Sequence, residues 1–195
     1  MGLLDGLDDV DWSAIKHSHS TSELFPYYLR QLAQNDSKSW DSAIEYIREY
    51  SNHQATIYDV TPHVAPFLID LLQTLPVSRT PDLLDILAGY AWTLENVHNQ
   101  IWIERSQQNV IKGFMSQTES SAWVKAVEET RAILEANLEI FLPYLDHEDP
   151  QVRAPAAELL YQFTKFQKID EAIQRRREIE TDEYVKRVLQ YGLQS

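Results

Sequence analysis

The sequence predicts an all-α protein built as an α-solenoid, a stack of consecutive helix pairs. Apolar residues recur at three and four positions along most of the chain, the spacing that gathers side chains on one face of a helix. Five glycines in 195 residues, with no Asn-Gly or Asp-Gly pair between alternating apolar runs, are too few turn signals for a sheet protein. The apolar segments also alternate in kind: a proline precedes leucines in one helix, and a turn or cap residue opens the next.

Residues 1–21 are read as an N-terminal cap segment, with Trp12 an apolar peg over the open end of the stack. Phe25, Leu29 and Leu32, with Pro26 among them, predict the first helix; Trp40, Ala43, Ile44, Ile47 and Tyr50, opened by Asp36, predict its partner. Val64, Pro66, Leu68, Leu71 and Leu72 begin a second pair, completed by Thr80-Pro81 ahead of Leu83, Leu87, Tyr90 and Leu94. Residues 98–120 fit the pattern poorly and are expected to be a divergent or inserted helix. One stride then runs through Val127, Leu134, Leu138, Phe141 and Leu145, carrying Pro143. Asp149-Pro150 opens the helix of Val152, Ala156, Leu159 and Phe163, and Thr181 opens that of Val185 and Leu189. Proline removes a backbone hydrogen bond, so Pro26, Pro66 and Pro143 should each bend a helix interior. Pro155, inside a second helix, predicts that this helix bends or starts later.

Asp149, Val152, Arg153, Ala156 and Leu159 form the pattern D-x-x-V-R-x-x-A-x-x-L, whose skeleton recurs at Asp182, Val185, Lys186 and Leu189. At these residues the chain resembles the HEAT-repeat family, which implies about four helix pairs in a right-handed superhelix forming one domain over residues 1–195. Asp41 departs from that pattern, standing after Trp40 where the family has a basic residue. The segments Leu7 to Trp12, His53 to Tyr58 and Thr61 to Leu68 are similar to small bacterial HEAT-like proteins, some associated with toxin and immunity systems.

Charge narrows the partner class. The formal net charge is -13, and residues 1–75 alone carry 11 acidic against 4 basic side chains. A phosphate backbone would be repelled by most of this chain, so nucleic acid is not expected as a partner. The basic cluster Arg175, Arg176 and Arg177, with Lys165 and Lys168, reads as a helix face paired internally with Asp170, Glu171, Glu178 and Glu180. No apolar run reaches the roughly 20 residues of a membrane span, and the first residues lack a secretory pattern. Together with the absence of cysteine, this places the expectation in the cytoplasm.

Chemistry leaves few traces. No two of the six histidines have the four-residue spacing of a helical zinc site, and there is no phosphate-binding glycine loop or G-x-S-x-G. Catalytic residues, cofactors and metals are therefore not expected. The polar stretch His53 to Tyr58 reads first as a loop that bonds helix ends.

The remaining candidate is a binding surface. With Trp40, Ala43, Ile44 and Ile47 buried, Asp41, Glu45 and Glu49 fall on one exposed line, which reads either as a solvated face with Arg48 neutralising Glu45 or as a binding surface. Asp82 and Asp85 occupy the polar side of the next second helix. Side by side these five would make an acidic strip flanked by Tyr46, Tyr50 and Trp92. The expected function is a non-enzymatic module binding a basic protein, an immunity protein in its sharpest form. The alternative implied by the family is a phycobilin lyase or chaperone-like enzyme acting on a bilin protein, which would need an apolar groove near Trp92 and Trp102.

Overall fold

In the computed structural model, residues 2–17, 20–95, 107 and 117–192 are described. Among them the protein is all-helical, with nine α-helices packed together and no strand beyond an isolated bridge between Lys16 and Thr21. The helices are α1 (Phe25–Gln34), α2 (Ser37–Ser51), α3 (Thr61–Thr74), α4 (Thr80–Glu95), α5 (Gln117–Ala136), α6 (Leu138–Leu145), α7 (Pro150–Tyr161), α8 (Gln167–Ile179) and α9 (Glu183–Tyr191). Most of the inserted segment expected over 98–120 lies outside the described residues; its last four positions begin α5.

Each boundary has a local cause. The Asp36 side chain accepts from the Lys38 amide at 3.2 Å, and Asp149 accepts from the Gln151 amide at 2.9 Å, each satisfying a donor that the first helical turn leaves open. At α9 the cap is Asp182, which accepts from the amides of Tyr184 and Val185, and not the expected Thr181. A carboxylate at that position reaches two donors at once. Asn35 ends α1 in the left-handed region at φ 54°, which asparagine tolerates better than most residues. The single stride expected from Val127 to Leu145 is broken at Asn137, whose side chain donates to the Ile133 carbonyl at 2.8 Å and separates α5 from α6.

The prolines divide into three cases. Pro66 and Pro143 lie inside α3 and α6. Pro26 instead occupies the first turn of α1, where the missing N–H has no helical acceptor to lose, so it starts the helix and does not interrupt it. Pro155 sits buried within α7, and α7 begins at Pro150 without any delay.

Packing follows two rows. α2 packs on α4, α4 on α7 and α7 on α9, while α1 packs on α3, α3 on α5, α5 on α6 and α6 on α8. Within the pairs α1–α2, α3–α4, α6–α7 and α8–α9 the helices also pack on each other. The most extensive contact is α4 on α7, helices that bring buried Ala88, Ala91, Ala156 and Ala157 and can therefore approach closely. The apolar stripe of α2 is buried, with Trp40 at 1% exposure and Ile47 fully covered. At the N-terminal end Trp12, 6% exposed, stacks 6.0 Å from Phe25, lies 6.2 Å from Phe67, and donates its indole N–H to the Leu7 carbonyl at 2.9 Å.

The opposite end is held by ions. Arg153 and Glu180, both buried, make two parallel hydrogen bonds at 2.8 and 2.7 Å, and Arg153 also donates to the carbonyls of His147 and Glu148. Burial pushes the Glu180 carboxyl up, but donors from Arg153, the Asp182 amide, Arg176 and the Thr181 amide outweigh it and hold the group at about 2. The other basic residues pair mainly across helices and not with their local acids: Arg175 with Asp146 at 2.9 Å, Lys165 with Glu135 at 2.7 Å, and Lys168 with Glu139. Arg177 donates to the Leu189 carbonyl. Among the described residues, Glu180, bonded by Arg176 at 2.9 Å, is the expected acid that pairs with this cluster.

Candidate functional site

The acidic residues singled out in the sequence fall into two sets. Asp41, Glu45 and Glu49 are exposed along α2, and Glu49 binds the His53 imidazole at 2.6 Å. Asp82 is half-buried and accepts the Trp40 indole N–H at 2.6 Å; Asp85 pairs with Arg48 at 2.7 Å. Arg48 thus neutralises Asp85 and not Glu45, because Arg48 lies on the side of α2 that meets α4. Two of the five carboxylates are consequently cross-links between α2 and α4.

The expected aromatic flank is divided. Tyr46 stacks on Tyr28 with centroids 4.0 Å apart and meets Phe25 at 5.3 Å, so it faces α1, while Tyr50 packs on Tyr46 at 4.5 Å and on His17 at 4.9 Å. Burial, then the neighbouring Tyr28 and Tyr50, push the Tyr46 hydroxyl up to about 12. Trp92 is half-buried on α4. Trp102, the other half of the apolar groove that a bilin would need, lies outside the described residues.

On the α2, α4, α7 and α9 row lies a groove of mixed polar and apolar lining made of two adjoining cavities of about 310 and 340 Å³. Both are lined by Arg48, Asp85, Glu158 and Tyr184. Ile86, Gly89 and Asn52 complete the first; Asp82, Gln151 and Pro155 are among those completing the second. Gly89 keeps the first cavity open toward α2, since a Cβ there would come within 3.0 Å of the Asn52 side-chain nitrogen. Three carboxyl groups thus face one guanidinium across the groove, leaving an excess of negative charge.

Glu158 and Tyr184 are the members that sequence reasoning missed. Glu158 is only 6% exposed, and its Oε1 accepts the Tyr184 hydroxyl at 2.6 Å. Burial pushes its carboxyl up, the bond from Tyr184 opposes this, and the charge of Asp85 adds to the rise. Tyr184 is pushed up to about 12 by its bond to Glu158, then by burial and by the charges of Glu158 and Asp85. One signal was available: a lone carboxylate inside the run Ala156, Ala157, Glu158, Leu159, Leu160 has to meet a partner or a cavity.

The His53 to Tyr58 loop makes helix-end contacts. Tyr58 donates from its hydroxyl to the His53 carbonyl at 3.3 Å, its amide donates to Thr61 Oγ1 at 2.9 Å, and Thr61 Oγ1 donates to the Ser51 carbonyl at 2.6 Å. Trp123 reaches in from α5 to donate to the Ile57 carbonyl at 2.7 Å. Among the described residues no three His, Asp or Glu side chains are grouped to hold a metal ion, and no helix is long and apolar enough to cross a membrane. His19 and His98 lie outside the described residues. The groove offers carboxylate acceptors, the aromatic ring of Tyr184 and the apolar side chain of Ile86. No family model matches the chain, and neither a curated protein nor a solved structure matches it.

Proposed function

We propose that this chain is a HEAT-like α-solenoid that acts as a non-enzymatic protein-binding module, presenting the α2, α4, α7 and α9 row to a basic partner protein. The observation that carries this reading is the groove in which Asp82, Asp85 and Glu158 outnumber Arg48. The exposed Asp41 and Glu45 extend the negative surface along α2, and the formal net charge of -13 extends the attraction beyond the groove. The paired packing order supports the repeat reading, as does the D-x-x-V-R motif, whose arginine is buried on α7 and bonds Glu180 at the end of α8. An immunity protein that covers the cationic face of a toxin is the form of this function that matches the resemblance and the charge together.

The test is affinity capture with the tagged full chain, followed by binding kinetics of the captured protein against the triple variant Asp41→Lys, Glu45→Lys, Asp85→Lys at two salt concentrations. Exposed charges steer association and are screened over about 8 to 10 Å near physiological ionic strength. The variant should associate at least tenfold more slowly, with a weaker salt dependence and an unchanged helical spectrum. Capture of an acidic partner, or association that neither salt nor the variant alters, would remove the proposal.

A further inference from the structure

We infer that the groove between α4, α7 and α9 is a receiving pocket for a single arginine side chain of the partner, with Glu158 as its buried acceptor and Tyr184 as its wall. The inference rests on the protein-binding reading above and makes it specific to one pocket and one side-chain chemistry.

Three independent features converge there. Glu158 is nine-tenths buried, yet only one of its carboxylate oxygens receives a hydrogen bond from the described residues, that from Tyr184. The residue lines both cavities, so its second oxygen is available to the groove. That oxygen is not sealed off like a fully covered orphan, and a carboxylate so placed gains from an incoming charged N–H. Next, Pro155 has no N–H, which removes the usual helical donor from the Gln151 carbonyl one turn earlier, and both residues line the second cavity. A second acceptor therefore stands seven residues, about two helical turns, before Glu158 along α7. Finally, the floor of the first cavity carries Ile86 and Gly89, while the ring of Tyr184, 46% exposed, forms one side.

This combination selects the guest. A guanidinium has five N–H donors in a planar fork, can donate to more than one carboxylate oxygen at once, and stacks on an aromatic ring while its methylene stem covers apolar surface. An ammonium has fewer donors and is more strongly hydrated, so it gains less here. Arg187, whose guanidinium lies 5.7 Å from the Tyr184 ring centroid, already uses the ring in this way within the protein. The charge balance also fits: a cation entering beside Glu158 and Asp85 relieves the repulsion between them, which the single Arg48, held on Asp85, leaves in place. Arg48 sets the limit of the pocket on the α2 side, so the entering group is expected between α7 and α9.

The experiment uses the full chain and a fluorescent tetra-arginine peptide, with tetra-lysine and the neutral isostere tetra-citrulline as comparison probes. Binding is read by anisotropy, and its place by nuclear magnetic resonance shifts of the amides of α7 and α9 and the ring protons of Tyr184. The expected result is tighter binding of tetra-arginine than of tetra-lysine, none of tetra-citrulline, and saturating shifts around Glu158 and Tyr184. Glu158→Gln keeps an acceptor for the Tyr184 hydroxyl but removes the charge, and should weaken tetra-arginine at least tenfold; Tyr184→Phe keeps the ring and should weaken it less. Thermal melts of both variants establish that they are folded. Tetra-arginine binding lowered by Asp41→Lys and Glu45→Lys but unchanged by Glu158→Gln, with no shifts in α7 or α9, would overturn the pocket and leave the protein-binding reading standing. Equal binding of lysine and arginine would overturn the choice of guest. Failure of the wild-type chain to bind any basic peptide would overturn both.

Discussion

The indole N–H of Trp40 donates to Asp82 across 2.6 Å, and Arg79 lies over the same ring, 4.4 Å from its centroid. A carboxylate expected to face a partner thus braces α4 against α2. Asp82→Ala leaves a nearly buried indole without its acceptor and should cost about 1 to 3 kcal/mol in urea unfolding. Asp82→Asn retains an acceptor and should lose less. Equal losses for the two variants would show that the charge, and not the hydrogen bond, matters here.

Arg153 and Glu180 carry the second prediction. Removing one member of a buried, doubly hydrogen-bonded pair strands the other, so Arg153→Met should cost about 3 to 5 kcal/mol. The pH effect has a definite sign. Glu180 titrates at about 2 in the folded chain, below its ordinary 4.5, so its contribution is present above pH 4.5 and is lost as pH falls toward 2. Urea midpoints followed from pH 7 downward should show this loss, and the slope should be shallower in Glu180→Gln.

Glu158 has the opposite sign. Its folded carboxyl is raised, so the penalty is absent at pH below the ordinary carboxylate range and appears as pH rises through the folded value. Asp82 and Asp85 from α4, Arg48 from α2 and Tyr184 from α9 line the groove with it. Glu158→Gln should therefore melt higher than wild type at pH 7, with the difference shrinking toward pH 4. A variant less stable than wild type at neutral pH would mean that Arg48 already compensates the buried charge.

Gln54 is exposed and sits at φ 51°, ψ 40°, followed by Ala55 at φ 52°. A side chain in the left-handed region costs roughly 1 to 2 kcal/mol, which glycine avoids at some loss of unfolded-state constraint. Gln54→Gly should therefore stabilise the fold by about 0.5 to 1 kcal/mol in chemical denaturation, while the same change at exposed Glu45, inside α2, should destabilise it by about 1 kcal/mol.

What the sequence made legible is what its local periods encode. Phe25, Leu29 and Leu32, the α2 stripe, and the caps at Asp36 and Asp149 are all written within one or two helical turns, and the helices form where those residues put them. Asn137 was hidden because Leu134 and Leu138 keep the stride across the break; an asparagine that bonds back to Ile133 interrupts the helix without disturbing its apolar spacing. The scarcity of buried side chains in α8, which covers only Ile169, Ala172 and Ile173, left that helix without a strong stripe to read. For the groove, Asp82 and Asp85 were legible as polar positions on one helix. Their neighbours Arg48, Glu158 and Tyr184 come from three other helices, and only the packing of α4 on α7 and of α7 on α9 brings them together. A local pattern holds no record of which distant side chain an arginine will choose.

Trp12 sets an order on synthesis. The ring leaves the ribosome before two of the surfaces it packs on, Phe25 in α1 and Phe67 in α3, and Phe67 belongs to the next helix pair. Until α3 has been made, Trp12 stays an unburied aromatic on a nascent chain, a candidate for chaperone capture during the interval. The segment around Trp12, made before α1 and α3, therefore reaches its native place after both, and its docking is complete only once the second pair has formed.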